Sequence, residues 1–339
     1  MSFKRVRWID IARGIGIFFV IYGHFLDKDS YRYLIYSFHI PLFFFLSGII
    51  FRYKTQENFF FFLRKNIKTI LLPYFLFAFL QLLFWVIFTK PPETTMSEIM
   101  KQFLGIFYGS GSNGQLAFDS VLWFLPCLFV TKIGFAIIAR LVKNTYIIGG
   151  ILFLFSLIGY GFSVMYPHTK LPFQTESALS AIVFFGLGFL WSHYEKPTFL
   201  LERCGKYLFL VFVICCIYFA DINFYLYGHQ IDMRLNRLNN YFFFYFAAFS
   251  GILACLSFSI MLKKNNILEY IGKYSLLLFA WHPLLIPYSL QAFSHIRMKK
   301  DLAPIFPFFY TISTILFLLF IFWLIRKLRI IFRVDFKKF

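Results

Sequence analysis

The chain has 339 residues, 60% of them apolar and 14% charged, and a mean hydropathy of +0.71, which together exclude a soluble globular protein. A net charge of +19 would suit nucleic acid, but the cations alternate between the segments that separate apolar blocks, so they read as a topology signal and an attraction to anionic lipid. The expected fold class is all-α, a polytopic integral membrane protein. Residues 1–339 are expected to form one membrane-embedded domain, because no segment between apolar blocks is long enough for a core of its own.

The apolar blocks run to about 20 residues, the length that crosses ~30 Å of hydrocarbon. About ten transmembrane helices are predicted, over residues 8–26, 34–51, 70–89, 120–139, 146–166, 179–194, 207–221, 241–262, 274–292 and 304–325. With the N-terminus inside, the cytoplasmic segments collect Lys4, Arg5 and Arg7, then Arg52, Lys54, Arg64, Lys65 and Lys68, and finally Arg326, Lys327, Arg329 and Arg333. The outer segments carry fewer cations, which places both termini in the cytoplasm.

The first block, RWIDIARGIGIFFVIYGHF, has no small-residue cleavage site and is expected to stay as an anchor. It carries Asp10, Arg13 and His24. Arg13 and His24 are eleven residues apart, which returns them to within roughly 20° of one helical face and separates them by about 16 Å along the axis. Asp10 lies one turn before Arg13, at a spacing where the two side chains pair. Such a stripe is costly against lipid and so turns toward protein or water. The plainer alternative has Arg13 snorkelling to the inner headgroups and His24 resting in the outer interface.

The second block, SFHIPLFFFLSGIIF, puts His39 at the outer mouth, across a loop of only about seven residues, so two imidazoles approach from adjacent helices. Residues 52–69 alternate aromatic and basic side chains and are expected to form an interfacial amphipathic helix. Residues 90–119 read as a short helix followed by a Gly/Ser-rich loop. Trp123 sits at the outer end of the fourth block, as a sugar platform or an interfacial anchor. The outer stretch 222–240 is the most polar, with Asp232, Arg234, Asn236 and Arg237. His282 precedes Pro283 in the ninth block, where an interhelical hydrogen bond is as reasonable as a catalytic role. His168, His193, His229 and His295 sit in or beside loops and read as incidental. The cysteines (Cys127, Cys204, Cys215, Cys216, Cys255) show neither a disulfide framework nor metal spacing.

The run IDIARGIGIFFVIYGH followed by FHIPLFFFLSG resembles the membrane acyltransferase 3 family, closest to the branch of sugar O-acetyltransferases related to fucose 4-O-acetylase. Similar stretches follow in order: RKNIKTILLPYF, LWFLPCLF, FFGLGFLW and YIGKYSLLLFAWHPLLI. The resemblance implies transfer of an acyl group, usually acetyl, from cytoplasmic acyl-CoA to a hydroxyl of an envelope or capsular glycan. It also implies a multi-pass protein of the bacterial cytoplasmic membrane. Where the family has Arg-x-x-Arg before the third span, this chain has Lys65 and Lys68, with Arg64 beside them.

The residues agree with that chemistry. A sugar hydroxyl needs a base near neutral pH, and imidazole suits the task, so His24 is the expected base and His39 its catalytic companion. Arg13, held by Asp10, is assigned to the donor side together with Arg64, Lys65 and Lys68, because Arg13 is too far from His24 to meet an oxyanion there. Trp123, Arg234, Arg237 and His282 are the expected acceptor contacts. Acyl-CoA, in the first instance acetyl-CoA, enters as co-substrate, with no permanently bound cofactor and no metal. The expected partners are a glycan or lipid-linked saccharide, membrane lipid and glycan-assembly proteins, and not nucleic acid. The rival class is a glycan or small-solute transporter, which also lines a channel with His and Arg; the lack of an inverted internal repeat counts against it.

Overall fold

Hydrocarbon offers no water to backbone N–H and C=O groups, so a chain this apolar closes its hydrogen bonds within each segment, as helices. The computed structural model describes residues 6–27, 31–52, 58–111, 116, 118, 120–194, 196–294 and 305–331. In chain order its helices are α1 (Arg7–Phe25), α2 (Arg32–Ile49), α3 (Phe59–Asn66), α4 (Leu72–Phe84), α5 (Met96–Tyr108), α6 (Phe124–Leu141), α7 (Thr145–Met165), α8 (Thr175–His193), α9 (Lys196–Tyr227), α10 (Tyr241–Met261), α11 (Asn266–Lys273), α12 (Ser275–Ser294) and α13 (Phe306–Ile331). Among the described residues there is no named strand. The protein is all-α and polytopic.

Nine helical stretches among the described residues are long and apolar enough to cross a membrane; the apolar part of α12, Ser275–Tyr288, is shorter. Every predicted block coincides with a helix, although the limits differ. The largest difference is α9, which has 32 residues against the predicted 207–221. Its first turns carry Glu202, Arg203 and Lys206, which hydropathy excludes from a span but which a helix accepts freely once it leaves hydrocarbon. In the stretch 52–69, residues 53–57 lie outside the described residues. Beyond them α3 continues through a π-helical segment, Ile67–Leu71, into α4, so that Phe59–Thr89 forms one apolar run of 31 residues. The short helix expected in 90–119 is α5. It starts with a reciprocal cap between Thr95 and Glu98, and the Thr95 backbone N–H and hydroxyl hold the Glu98 carboxyl below its usual range. It ends at Gly109, whose φ of 71° suits a residue without a Cβ. Most of the Gly/Ser-rich loop that follows lies outside the described residues.

Without a hydrophobic drive between helices in lipid, close packing needs small residues at the crossings. Two crossings matter for the site. Gly14 of α1 abuts the Leu268 carbonyl of α11 while Gly272 of α11 abuts the Asp10 carbonyl of α1. Gly48 of α2 meets the Phe185 carbonyl of α8 while Gly188 of α8 meets the Phe45 carbonyl of α2. A side chain at any of these positions pushes backbone against backbone. α9 packs along α10, and α10 in turn along α2 and α1. Polar ties join the rest: the Tyr74 hydroxyl of α4 donates to the Ile106 carbonyl of α5 (2.7 Å), and Gln81 Nε2 donates to the Ala280 carbonyl of α12 (2.5 Å). α1 and α2 are thereby held at the centre of the bundle, with α12 and α13 beside α1.

Candidate active site

At the end of the bundle where α1 finishes and α2 begins, a cavity of about 190 Å³ is lined by His24, by Arg32, Tyr36 and His39, by Trp123, and by Asp232 and Arg234. Arg32, Tyr36 and His39 fall at i, i+4 and i+7, one face of α2. Arg32 Nη2 donates to the Tyr36 hydroxyl (2.6 Å), and its guanidinium lies over the same ring, 4.6 Å from the centroid. Because that hydroxyl oxygen accepts, the Tyr36 proton is free for a ligand. His39 is buried, 4.9 Å from the Tyr36 ring between centroids, and its Nδ1 is 2.7 Å from the Ile35 carbonyl oxygen. A carbonyl only accepts, so His39 carries its proton on Nδ1 and leaves Nε2 as a bare acceptor. His24 is half-buried, its ring centre 6.4 Å from that of Tyr36 and 5.1 Å from that of His282.

The cavity is roofed by the segment 231–240, folded down rather than left in solvent. Asp232 accepts from the backbone N–H of Arg234 (2.9 Å) and of Leu235 (3.3 Å), and its backbone pairs with that of Arg237 (2.9 Å each way). The segment before α8 and the first turn of α8 tie this turn in place: Lys170 Nζ donates to the Leu235 carbonyl, Gln174 Nε2 to the Arg234 carbonyl and the Ser177 hydroxyl to the Met233 carbonyl, each at 2.7 Å. Burial lowers the Lys170 pKa, with Glu176 and Asp232 pulling it back. Arg234 completes the roof, with Nη1 donating to the Gly111 carbonyl (2.7 Å) and Nη2 3.5 Å from Asp232 Oδ2.

Arg13 lies elsewhere. α1 is helical from Arg7 to Phe25, so the rise between Arg13 and His24 stays at about 16 Å. Arg13 instead lines a larger cavity, about 670 Å³, at the opposite end of α1, together with Trp8, Asp10, Arg52, Trp191 and Glu202. Its Nη1 is 3.5 Å from Oδ1 of the buried Asp10 carboxylate. Arg52 enters from the end of α2, where its Nη1 donates to the Ile49 (3.0 Å) and Phe51 (2.7 Å) carbonyls and so satisfies the helix terminus.

Residues 6–326, nearly the whole chain, match the family described as an acyltransferase domain, acyltransferase 3. The chain belongs to the acyltransferase 3 family. It is a multi-pass membrane acyltransferase. No curated protein and no solved structure matches it.

The acyltransferase brings five of the sequence-predicted site residues to one end: His24, His39, Trp123 and Arg234 line the cavity, and His282 stands behind His24. Arg237 shares only backbone bonds with this group, and its side chain is exposed. Asp10 and Arg13 are together at the other end, while Arg64, Lys65 and Lys68 are exposed and do not line the cavity that holds Arg13. Trp123 is 4% exposed, which suits a wall of the cavity rather than an anchor in the headgroups. His168, His193 and His229 line neither cavity, and His295 lies outside the described residues. Arg32, Tyr36 and Arg52 are the additions; among the described residues no cluster of His, Cys, Asp and Glu is arranged to hold a metal ion.

Proposed function

We propose that this acyltransferase carries an acyl group, acetyl in the first instance, from cytoplasmic acyl-CoA to a hydroxyl of an envelope or capsular glycan, in the bacterial cytoplasmic membrane. The supporting observation is the single small cavity that gathers His24, His39 and the Tyr36 hydroxyl, at the opposite end of α1 from the larger cavity with Arg13 and Arg52. CoA phosphates meet guanidinium groups at the Arg13 end, where planar donors match them, and Trp8 and Trp191 offer faces for the adenine. The pantetheine arm extends toward His24. The family match favours this reading over a transporter.

The step balances with the side chains that line the smaller cavity. His24 takes the proton of the acceptor hydroxyl as its oxygen bonds to the thioester carbon. The oxyanion that forms accepts the Tyr36 proton as a hydrogen bond, strengthened because Arg32 already donates to that oxygen. Collapse breaks the carbon–sulfur bond, and the CoA thiolate receives the proton held on His24, leaving ester and free CoA. Trp123 and Arg234 hold the sugar. Purified protein incubated with isotopically labelled acetyl-CoA and glycan from the producing cell should place the label on a sugar oxygen, read by mass spectrometry. Release of labelled acetate or no transfer, with glycan unmodified, would contradict the proposal.

A further inference from the structure

His282 is fully buried, one helix behind His24, and its surroundings leave it a single chemical role. Its Nδ1 lies 2.9 Å from the Phe279 carbonyl oxygen and 3.1 Å from that of Leu278. The Phe279 carbonyl is available because residue 283, which would donate to it in a regular helix, is a proline without an N–H. Both oxygens can only accept, so the His282 proton is on Nδ1 and Nε2 presents a bare lone pair. That Nε2 is buried and has no hydrogen-bond partner among the described residues, a costly condition for a polar atom in an apolar interior. The nearest imidazole partner is His24, with ring centres 5.1 Å apart and planes inclined by 57°, a separation at which facing nitrogens come within hydrogen-bond reach.

We propose that His282 is the positioning residue of His24. A turn of the His24 ring about its Cβ–Cγ bond, a soft torsion, directs one N–H onto His282 Nε2. That bond places the single proton of neutral His24 on the nitrogen facing α12 and leaves the other nitrogen, facing the cavity, as the base. When His24 takes the acceptor proton, the same bond holds the imidazolium until the proton passes to the CoA thiolate. The Pro283 that follows is therefore part of the device, since it releases the carbonyl that sets the His282 tautomer.

The inference rests on His24 as the base of the proposed transfer, so its test needs one readout that depends on turnover and one that does not. For turnover, His282→Phe should lower kcat about 10- to 100-fold, as loss of an orienting partner does, with KM for acetyl-CoA and for the glycan within twofold. His282→Gln, whose side-chain oxygen can accept from His24, should recover much of the loss. In a His24→Ala background, His282→Phe should change nothing further. Equal damage from Phe and Gln, or additive losses in the double variant, would assign His282 to packing alone. Independently of activity, 15N-histidine spectra with His24 identified by its loss in His24→Ala should show one fixed tautomer in the parent protein and a mixture in His282→Phe. A His24 signal indifferent to His282→Phe would overturn the proposal even in a protein that transfers acetyl normally, and absent turnover with the expected tautomer change would overturn the transfer reading instead.

Discussion

The two cavities share one helix and differ in size and in the groups they present. At the His24 end the volume is about 190 Å³, and side chains are assigned atom by atom: Arg32 to Tyr36, His39 to Ile35, Arg234 to Gly111. At the Arg13 end the volume is about 670 Å³, and the lining carries charge: Arg13 stands 3.5 Å from Asp10, and Arg52 donates to the Ile49 and Phe51 carbonyls. Bond-making chemistry tolerates little displacement of the reacting atoms and suits a small cavity, whereas a flexible carrier with several phosphates suits a roomier cationic vestibule. The contrast supports the two-ended acyl transfer proposed above, and each end can be perturbed separately.

The largest effect is expected at the tight end. His24→Ala should reduce turnover by about 10³-fold, within the range for loss of a positioned base, while circular dichroism and the elution profile of the purified variant stay as in the parent. Near-normal turnover would remove His24 from the chemistry and erase the contrast. Next comes the wider end: Arg13→Lys keeps the charge but loses the planar fork, so kcat/KM for acyl-CoA should fall by about tenfold. Calorimetric binding of acyl-CoA at parental strength in that variant would instead support a snorkelling arginine. At the roof, Arg234→Ala removes the tie to the Gly111 carbonyl and should raise the glycan KM about tenfold, the lower end of the worth of a charge-assisted bond, with the acyl-CoA KM unmoved. The smallest effect belongs to Lys65→Ala combined with Lys68→Ala. These exposed lysines act only by long-range attraction, so KM for acyl-CoA should rise about twofold at low salt and not at all at high salt.

Hydropathy located the spans because a bilayer imposes one length on all of them, and it missed the ends of α9 because helices continue past the hydrocarbon. The pairing of His24 with His39 at one mouth follows from two short-linked antiparallel helices and was readable from spacing. Arg32 and Tyr36 were readable too, since they stand seven and three residues before His39 on its own helical face, yet a cation beside a loop passes for a topology charge. Arg52 was hidden the same way. The neighbour of His24 was not readable: His282 is far along the chain, and which face of α12 meets α1 depends on packing that no local period encodes. Likewise Lys65 and Lys68 matched a pattern in sequence, but only the fold separates them from the cavity that holds Arg13.

The central claim, that donor and acceptor approach α1 from opposite ends, is tested most directly by sidedness. The protein is reconstituted in one orientation in sealed proteoliposomes, with glycan inside and labelled acetyl-CoA outside, or with both on one side. The account predicts labelled glycan only when the two substrates are on opposite faces of the membrane, with the acetyl-CoA on the face of Arg13. Equal labelling with both substrates on one face would contradict it.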